Sequence, residues 1–268
     1  MESRLIRMTP DPRLRAMVRG YADFLQRVDG PVQTRETPTA SLVVIVDLEA
    51  GWTVAGERFG SFVAGLADGP TTVRHEGVAR AVQIDLSPLG ARALLGLPAG
   101  ELGGRTVRLA DLIGAEAERL AERLRAAPDA RTRARALDAA LVRRWSRVSG
   151  AAAAPVAPDV VRAWHLLERS AGRLRVESLA AELRCSRRHL ARRFAAEVGL
   201  GPKAVGRILR FERTKALWTS APLAEVAVAA GYADQAHLSR EVRALSGRSP
   251  AALRAERQAS WPVVETAR

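Results

Sequence analysis

One layout occurs twice in the C-terminal half of the sequence, and it restricts the fold more than any other feature. LAAELRCSRRHLARRFAAEVG (179–199) and LAEVAVAAGYADQAHLSREVRALSG (223–247) each contain a short apolar segment, a tight turn and a second segment whose apolar residues recur at helical spacing. In the first, Ser186 is positioned to cap the second helix. The segment 203–220 between them has the pattern of one connecting helix. The sequence therefore predicts two helix-turn-helix units joined by a long helix.

The second helix of each unit carries the side chains that point to a function. In a helix-turn-helix this helix enters the major groove, and its outward side chains meet base edges. Arginine pairs with guanine through two donors, and glutamine can pair with adenine. The candidates for DNA binding are Arg187, Arg188, Arg192, Gln235, His237, Ser239 and Arg240, with Lys203 as a phosphate contact. The crowding of hydrogen-bonding side chains in GYADQAHLSR therefore favours base reading over a catalytic site.

Several of these residues also have plainer interpretations. His237 could be an ordinary surface or capping residue, and Arg192 could belong to a solvated face. The positions of both within the repeated layout favour contact with DNA. His189 follows two arginines, and we expect it to pack against the turn instead of contacting a base.

The charge of the chain supports a polyanionic partner. Its 42 basic and 29 acidic residues leave a net charge of +13. From residue 156 onward there are 20 basic and 11 acidic residues, a net of +9, against 22 and 18, a net of +4, before it. Binding to phosphates releases condensed counterions, so this excess predicts a nucleic-acid partner for the C-terminal part. Base composition of the genome is an alternative reason for the abundance of arginine over lysine.

Other function classes lack the residues that they need. Cys185 is the only cysteine, which excludes intramolecular disulfides and multi-cysteine zinc sites, and His75 is the only histidine before residue 149. The sequence has no phosphate-binding glycine loop, Gly-x-Ser-x-Gly or His-Glu-x-x-His motif, so we expect no enzyme, metal or cofactor. No apolar run is long enough to span a bilayer, and the N-terminus lacks the apolar core of a signal peptide. A cytoplasmic protein without a membrane partner is the expectation.

Composition also divides the chain into domains. SGAAAAPVAP (149–158) is typical of a linker between a β-rich domain at 1–148 and a helical domain at 159–257, with 258–268 as a tail. SLVVIVDL (41–48) has the pattern of a buried strand. Further strands are predicted in WTVAG, GSFVAGLA, TTVRHE and ARAVQIDL, a short helix from Ser87-Pro88 to Gly96, and two helices at 109–124 and 131–148. The expected fold class is α+β: a β-rich N-terminal domain with two helices, followed by an all-α domain.

Residues ~160–255 resemble the DNA-binding domain of the AraC/XylS family of bacterial transcription regulators. The resemblance is carried by LAAEL…S-RRHLARRF…GLGP (179–202), ERTKA (212–216) and LAEVAVAAGYADQAHLSREVRALSGRSPAALR (223–254). It implies a domain of two lobes whose second helices insert into one face of DNA. The family's contact positions map onto Arg187, Arg188, Arg192, Gln235, His237 and Arg240.

Three positions depart from the family pattern. Ala191 stands where relatives often carry a longer polar residue, so one base contact is expected to be missing. Val242 stands where an aromatic residue is usual and Leu253 where tyrosine is common, and since both stay apolar we expect altered packing only.

Three further stretches are SLVVIVDL, ARAVQIDL with its SPLGARALLG continuation, and LxGRTVRLADLIG. Through them the segment from about 40 to 112 is similar to an N-terminal region of some AraC-type regulators. This resemblance implies a sensor or dimerisation domain, with a degenerate cupin-like barrel as one form that it could take. Five aromatic residues could line a ligand pocket there, although core packing is the favoured role: Tyr21, Phe24, Trp52, Phe59 and Phe62.

Together these features predict a sequence-specific transcription regulator that binds promoter DNA. The family resemblance further implies an activator that responds to a small-molecule effector, while the sign of regulation stays open. Double-stranded DNA is the expected partner, with RNA polymerase added by family analogy. A homodimer through the helices at 109–148 is a hypothesis. The alternatives are a sequence-tolerant architectural DNA-binding protein and an unrecognised N-terminal enzyme fused to a DNA-binding domain.

Overall fold

The N-terminal half of the computed structural model is built from two β-sheets. The structure describes residues 2–49, 51–150, 155–218, 221–260 and 264–267. The strands are β1 Glu2–Met8, β2 Val18–Arg27, β3 Val32–Glu36, β4 Leu42–Asp47, β5 Trp52–Val54, β6 Glu57–Phe59, β7 Phe62–Ala64, β8 Thr71–His75, β9 Val78–Leu86, β10 Thr106–Arg108 and β11 Val264–Ala267. The β-rich prediction for this half is confirmed.

The two sheets are mainly antiparallel. The first has seven strands in the order β10-β7-β4-β9-β2-β1-β11, and the second has four in the order β3-β8-β5-β6. The predicted strands at 41–48 and in the four following segments are present, whereas β1 and β2 were not predicted. β1 contains a glutamate and two arginines, β2 contains two arginines, an aspartate and a glutamine, and only some of the side chains of each strand are buried. Their apolar pattern is therefore weak.

The first sheet lies between the second sheet and a layer of helices. On β4, Leu42, Val44 and Val46 belong to the core on the helical side, and Ile45 belongs to the smaller core between the sheets. Alternate residues of a strand point to opposite faces, so β4 contributes to both cores. Two facing sheets are also the general architecture of a cupin-like domain.

Aromatic side chains fill the space between the sheets. Trp52, Phe59 and Phe62 are buried there, and Phe24 packs partly buried against them. The rings of Phe24 and Trp52 meet edge to face at 5.3 Å between centroids. Tyr21 lies in the other core and donates a hydrogen bond to Asp138. These contacts agree with packing, the role that the sequence favours, and Phe59 also lines an open cleft.

The remaining elements are helical. The helices are α1 Ala91–Leu95, α2 Leu109–Ile113, α3 Glu116–Ala126, α4 Ala130–Gly150, α5 Pro158–Arg169, α6 Val176–Glu182, α7 Arg187–Val198, α8 Pro202–Leu217, α9 Leu223–Ala230, α10 Gln235–Ser246 and α11 Pro250–Ser260. The single helix expected at 109–124 is two, because Gly114 adopts φ 60° after α2 and starts a new direction. A 3-10 turn at Pro88–Gly90 precedes α1, which ends before Gly96 as expected.

The long helix α4 is attached to the first sheet by a buried ion pair. Arg133 of α4 donates from Nε to a carboxylate oxygen of Asp23 on β2 at 2.5 Å, and from Nη1 to the carbonyl of Ala127 at 2.8 Å. Both charged side chains are at most 3% exposed. Each charge is thus compensated inside the domain.

The two halves of the chain share one hydrophobic core and touch through polar contacts. Arg92 of α1 donates two hydrogen bonds of 2.8 Å to Glu197 of α7. The backbone amide of Ala40 donates to Glu212 of α8 at 2.9 Å. Arg19 of β2 forms ion pairs with Glu168 of α5 and with Glu212. The helical half is therefore held against the β-rich half along several elements.

The regions expected to be a linker and a tail contain regular structure. Helix α4 extends into the predicted linker as far as Gly150, and residues 151–154 of that linker lie outside the described residues. In the predicted tail at 258–268, α11 extends to Ser260, and β11 pairs in parallel with Leu5–Met8 of β1. The open edge of β1 offers unpaired backbone groups, which explains how this segment gains structure.

Candidate nucleic-acid interface

The first helix-turn-helix unit consists of α6 and α7. Arg184 turns the chain with φ 50°, and Ser186 caps α7 by accepting a hydrogen bond of 3.2 Å from the amide of His189. Leu190, Phe194 and Val198 of α7 are buried, as are Leu179 and Ala180 of α6. The predicted cap is present, and the buried face fixes which side of α7 points to solvent.

The solvent-facing side of α7 is basic. Arg188 and Arg192, one helical turn apart, are exposed and have no ion pair among the described residues. Arg187 is also exposed and forms an ion pair of 3.0 Å with Glu177 of α6. Such an exposed pair contributes little to stability, because water screens it on all sides. The three arginines expected to meet DNA therefore share an accessible surface, and Ala191 beside them is partly buried.

At the start of α6, neighbouring groups favour the charged form of Glu177. A backbone N–H and the guanidinium of Arg187 hold the pKa of Glu177 below its usual range. Contact of Arg187 with DNA stays a prediction, and such a contact would replace Glu177 by a phosphate or a base as its partner.

The second unit, α9 and α10, has a matching arrangement. Asp234 caps α10 by accepting a hydrogen bond of 2.6 Å from the amide of His237. Leu238, Val242 and Leu245 are fully buried. Apolar Val242 thus packs in the core, and Leu253 of α11 is likewise buried.

Three predicted residues of α10 lie on its accessible side. Gln235 and Arg240 are exposed, and Ser239 between them is partly exposed. Arg243, one turn beyond Ser239, is exposed on the same side but was not among the predicted contacts. Arg243 follows Gln235 by eight residues, about two helical turns, and this spacing could have placed it on the same side of α10 from the sequence alone.

His237 is oriented differently from the other candidates. Its ring lies edge-on to Tyr232 at 5.2 Å, and its Nε2 is 3.7 Å from a carboxylate oxygen of Glu241. Its Nδ1 accepts a hydrogen bond of 3.5 Å from the amide of Ala233. The side chain is 36% exposed, so contact with DNA stays a prediction for this residue. Tyr232 is buried, which raises its pKa to about 12 and keeps its hydroxyl protonated.

Lys203 lies apart from the base-reading candidates. It is exposed in the first turn of α8, just past the C-terminal end of α7. The 12 residues of α7 separate it from Arg187 and Arg188 by about 18 Å along the helix. Its predicted phosphate contact would therefore involve a different part of the DNA.

Outside this surface, the structure contains an open cleft in the N-terminal half. The cleft has a volume of about 190 Å³ and lies where the edge formed by β7 and β10 meets β5 and β6. Its lining includes Val54, Glu57, Phe59, Thr71, Arg105 and Thr106. Among the described residues, no three His, Cys, Asp or Glu side chains are grouped so as to hold a metal. Within those ranges no helix has the length and apolar character required to cross a membrane.

Two family models match separate parts of the chain. A helix-turn-helix domain family matches residues 179–256, which run from within α6 into α11. A domain of unknown function, DUF6597, matches residues 6–108, which span β1 to β10. Among curated proteins, none matches the chain at a significant level.

Two solved structures of ToxT share the fold of this chain at low sequence identity. ToxT from Vibrio cholerae is 10% identical with a TM-score of 0.54, over 87% of this chain and 97% of ToxT. ToxT from Vibrio cholerae O395 bound to (E)-4-(8-methylnaphthalen-1-yl)but-3-enoic acid is 11% identical with a TM-score of 0.52, over 87% of this chain and 98% of that ToxT chain. The C-terminal domain of AraT, a response regulator from Geobacillus stearothermophilus, is 25% identical over 41% of this chain and 92% of that domain, with a TM-score of 0.37.

Proposed function

Because the chain carries, at residues 179–256, a helix-turn-helix domain of the AraC family of DNA-binding transcription regulators, we propose that it reads a bipartite promoter sequence through α7 and α10. The observation that carries this proposal is the pair of capped helices with exposed arginines, Arg188 and Arg192 on one and Arg240 on the other, which form no ion pair within the described ranges. Helices of this kind enter successive major grooves about 34 Å apart on one face of DNA.

The roles of the side chains follow from their chemistry. Arginine and glutamine offer paired hydrogen bonds to guanine and adenine, so Arg188, Arg192, Gln235 and Arg240 would select bases. Lys203, other arginines and the helix N-termini would bind phosphates, which position the protein without selecting sequence.

We further propose that a small molecule controls this binding and that the protein activates transcription through RNA polymerase. One ToxT structure contains an organic acid, and the cleft between the sheets is a candidate place for an effector in this chain. At about 190 Å³ the cleft is smaller than typical ligand pockets of about 300–1,000 Å³, so the effector would be small. Transcription from a cloned target promoter should rise with the protein; a fall would indicate a repressor.

The decisive experiment is selection of random double-stranded DNA by the full chain at about 150 mM salt. We expect a motif with two halves about 10 base pairs apart, one for each recognition helix. Recovery of unselected DNA, with affinity that collapses as salt rises, would instead indicate an architectural DNA-binding protein.

Arg240 provides the residue-level test of base reading. We expect Arg240→Ala to relax selection at one base position and to cost about 1–3 kcal/mol on the preferred site, because a paired contact to a base is lost. Repeating the selection with this variant measures the effect. Equal weakening on all sequences, with a salt slope lower by about 1, would make Arg240 a phosphate contact.

A further inference from the structure

The second recognition helix, α10, is attached to the connecting helix α8 by a group of charged side chains on its inner side. Glu241 of α10 accepts hydrogen bonds of 2.9 and 3.2 Å from Nη2 of Arg210. Nε of Arg207 is 3.4 Å from the same carboxylate. His237 of α10 lies 3.7 Å from it, as described above. We call these four residues the Glu241 cluster.

Arg210 also reaches the first half of the helical domain. Its Nη1 donates a hydrogen bond of 2.7 Å to the carbonyl oxygen of Gly172, which follows α5. Helix α5 in turn packs on the first recognition helix, where Trp164 stacks on Phe194 at 6.3 Å between centroids. A single guanidinium therefore connects α10 with the end of the helix that supports α7.

The connection between α5 and α8 is itself tight at this point. A Cβ atom on Gly172 would lie 2.0 Å from the carbonyl oxygen of Gly206, one turn before Arg210 on α8. The backbones of the two elements therefore touch, which leaves little freedom for the carbonyl that Arg210 binds. The Gly172 carbonyl, to which Arg210 donates, is thus held firmly in place.

The contact between Arg210 and Glu241 is largely buried, which limits the positions that the two side chains can take. The side chains of Glu241 and Arg210 are only 12% and 18% exposed, so water screens their attraction weakly. The Arg210 guanidinium also lies over the ring of Tyr232, at 5.7 Å, in the turn before α10. Arginine can satisfy several partners in fixed directions at once because its five donors form a rigid planar fork.

We propose that Arg210 and Glu241 are positioning residues that set the separation of the two recognition helices, and thereby the spacing of the two half-sites that the protein accepts. This inference rests on the proposed function. Neither side chain is a base-reading candidate; both act through the placement of α10 relative to α7. The spacing preference of the protein is therefore a property of this inner contact as well as of the DNA-facing side chains.

The test uses DNA sites in which the two half-sites are moved apart or together by one or two base pairs. The full chain should prefer one spacing, and the change in affinity with spacing measures the coupling between the helices. We expect Glu241→Gln to reduce that preference by about tenfold, a typical size for coupling between two sites, because the neutral amide holds Arg210 weakly. Affinity for DNA with a single half-site should change by less than about twofold, since the coupling term is absent there.

Two further variants separate positioning from general stability. Arg210→Lys keeps the positive charge beside Glu241 but loses the fork, so it should fold and show the same loss of spacing preference. Glu225→Gln removes an exposed glutamate from α9 of the same unit and should keep the wild-type profile.

The outcomes are distinct. A wild-type spacing profile in folded Arg210→Lys and Glu241→Gln would overturn the inference, whatever the change in melting temperature. Absence of any bipartite motif for the wild-type protein would overturn the proposed function, and this inference with it.

Discussion

Arg133 is the residue whose burial requires most compensation. It has no exposed surface, and a charge taken out of water is tolerated only when it is paired and hydrogen-bonded. Asp23 and the carbonyl of Ala127 provide those partners. The ion pair joins residues 110 positions apart in sequence, so no local pattern could have predicted it.

Removal of Asp23 should therefore destabilise the protein strongly. We expect Asp23→Ala to lower the free energy of unfolding by about 3–5 kcal/mol, because Arg133 would remain buried without a counter-charge. Urea unfolding of the purified chain measures this. Asp111→Ala, at an exposed position of α2, is the control and should change stability by about 0.5 kcal/mol or less. Similar losses for both variants would show that the ion pair contributes nothing specific.

The sequence was more informative about the candidate site than about such long-range contacts. The cap at Ser186 and the exposed positions of Arg188, Arg192, Gln235 and Arg240 depend on local helical spacing, which sequence records directly. The inward orientation of His237 depends on Glu241 and Tyr232 once α10 has packed on α8, and spacing alone does not indicate it.

Among the elements, the 3-10 helix Ala99–Leu102 packs directly against a recognition helix. A Cβ atom on Gly100 would lie 2.0 Å from the carbonyl oxygen of Ala196 in α7. The backbone of the β-rich half therefore touches the C-terminal part of the first recognition helix. Only glycine fits at this contact, so the placement of α7 depends on a residue outside the helical domain.

A methyl group at this contact should push the two elements apart. We expect Gly100→Ala to lower the free energy of unfolding by about 1–3 kcal/mol, the usual cost of overpacking, and to weaken DNA binding as α7 shifts. Thermal melting and titration with the selected DNA site are the measurements. Gly60→Ala has open space around its Cβ position and serves as the control. Unchanged melting and affinity in Gly100→Ala would mean that the contact opens freely.

Prediction from sequence was uneven among the elements. Strong apolar runs identified β4 and β9, and helical spacing identified α6 to α10. Strands β1 and β2 were missed because arginines and polar residues occupy many of their positions. They pair with each other, and β2 also pairs with the distant strand β9, whose contribution a local pattern does not contain.

For the whole molecule, the shared core predicts cooperative unfolding. Buried side chains of both halves form one continuous cluster, and polar contacts such as Arg92–Glu197 cross between them. We expect one calorimetric transition for the full chain, with the calorimetric enthalpy equal to the van't Hoff enthalpy. Two separate transitions would show that the halves unfold independently.

The pairing of β11 with β1 gives the helical half the topology of an inserted domain. The chain leaves the β-rich half after α4, passes through α5 to α11 and returns as an edge strand of the first sheet. Such a loop is closed at both ends, so its helices cannot swing outward on a single tether. A large displacement of the helical half would first have to break the pairing of β1 with β11, from Leu5–Val264 to Met8–Ala267. While those pairs persist, the helical half stays attached to the β-rich half at both of its ends.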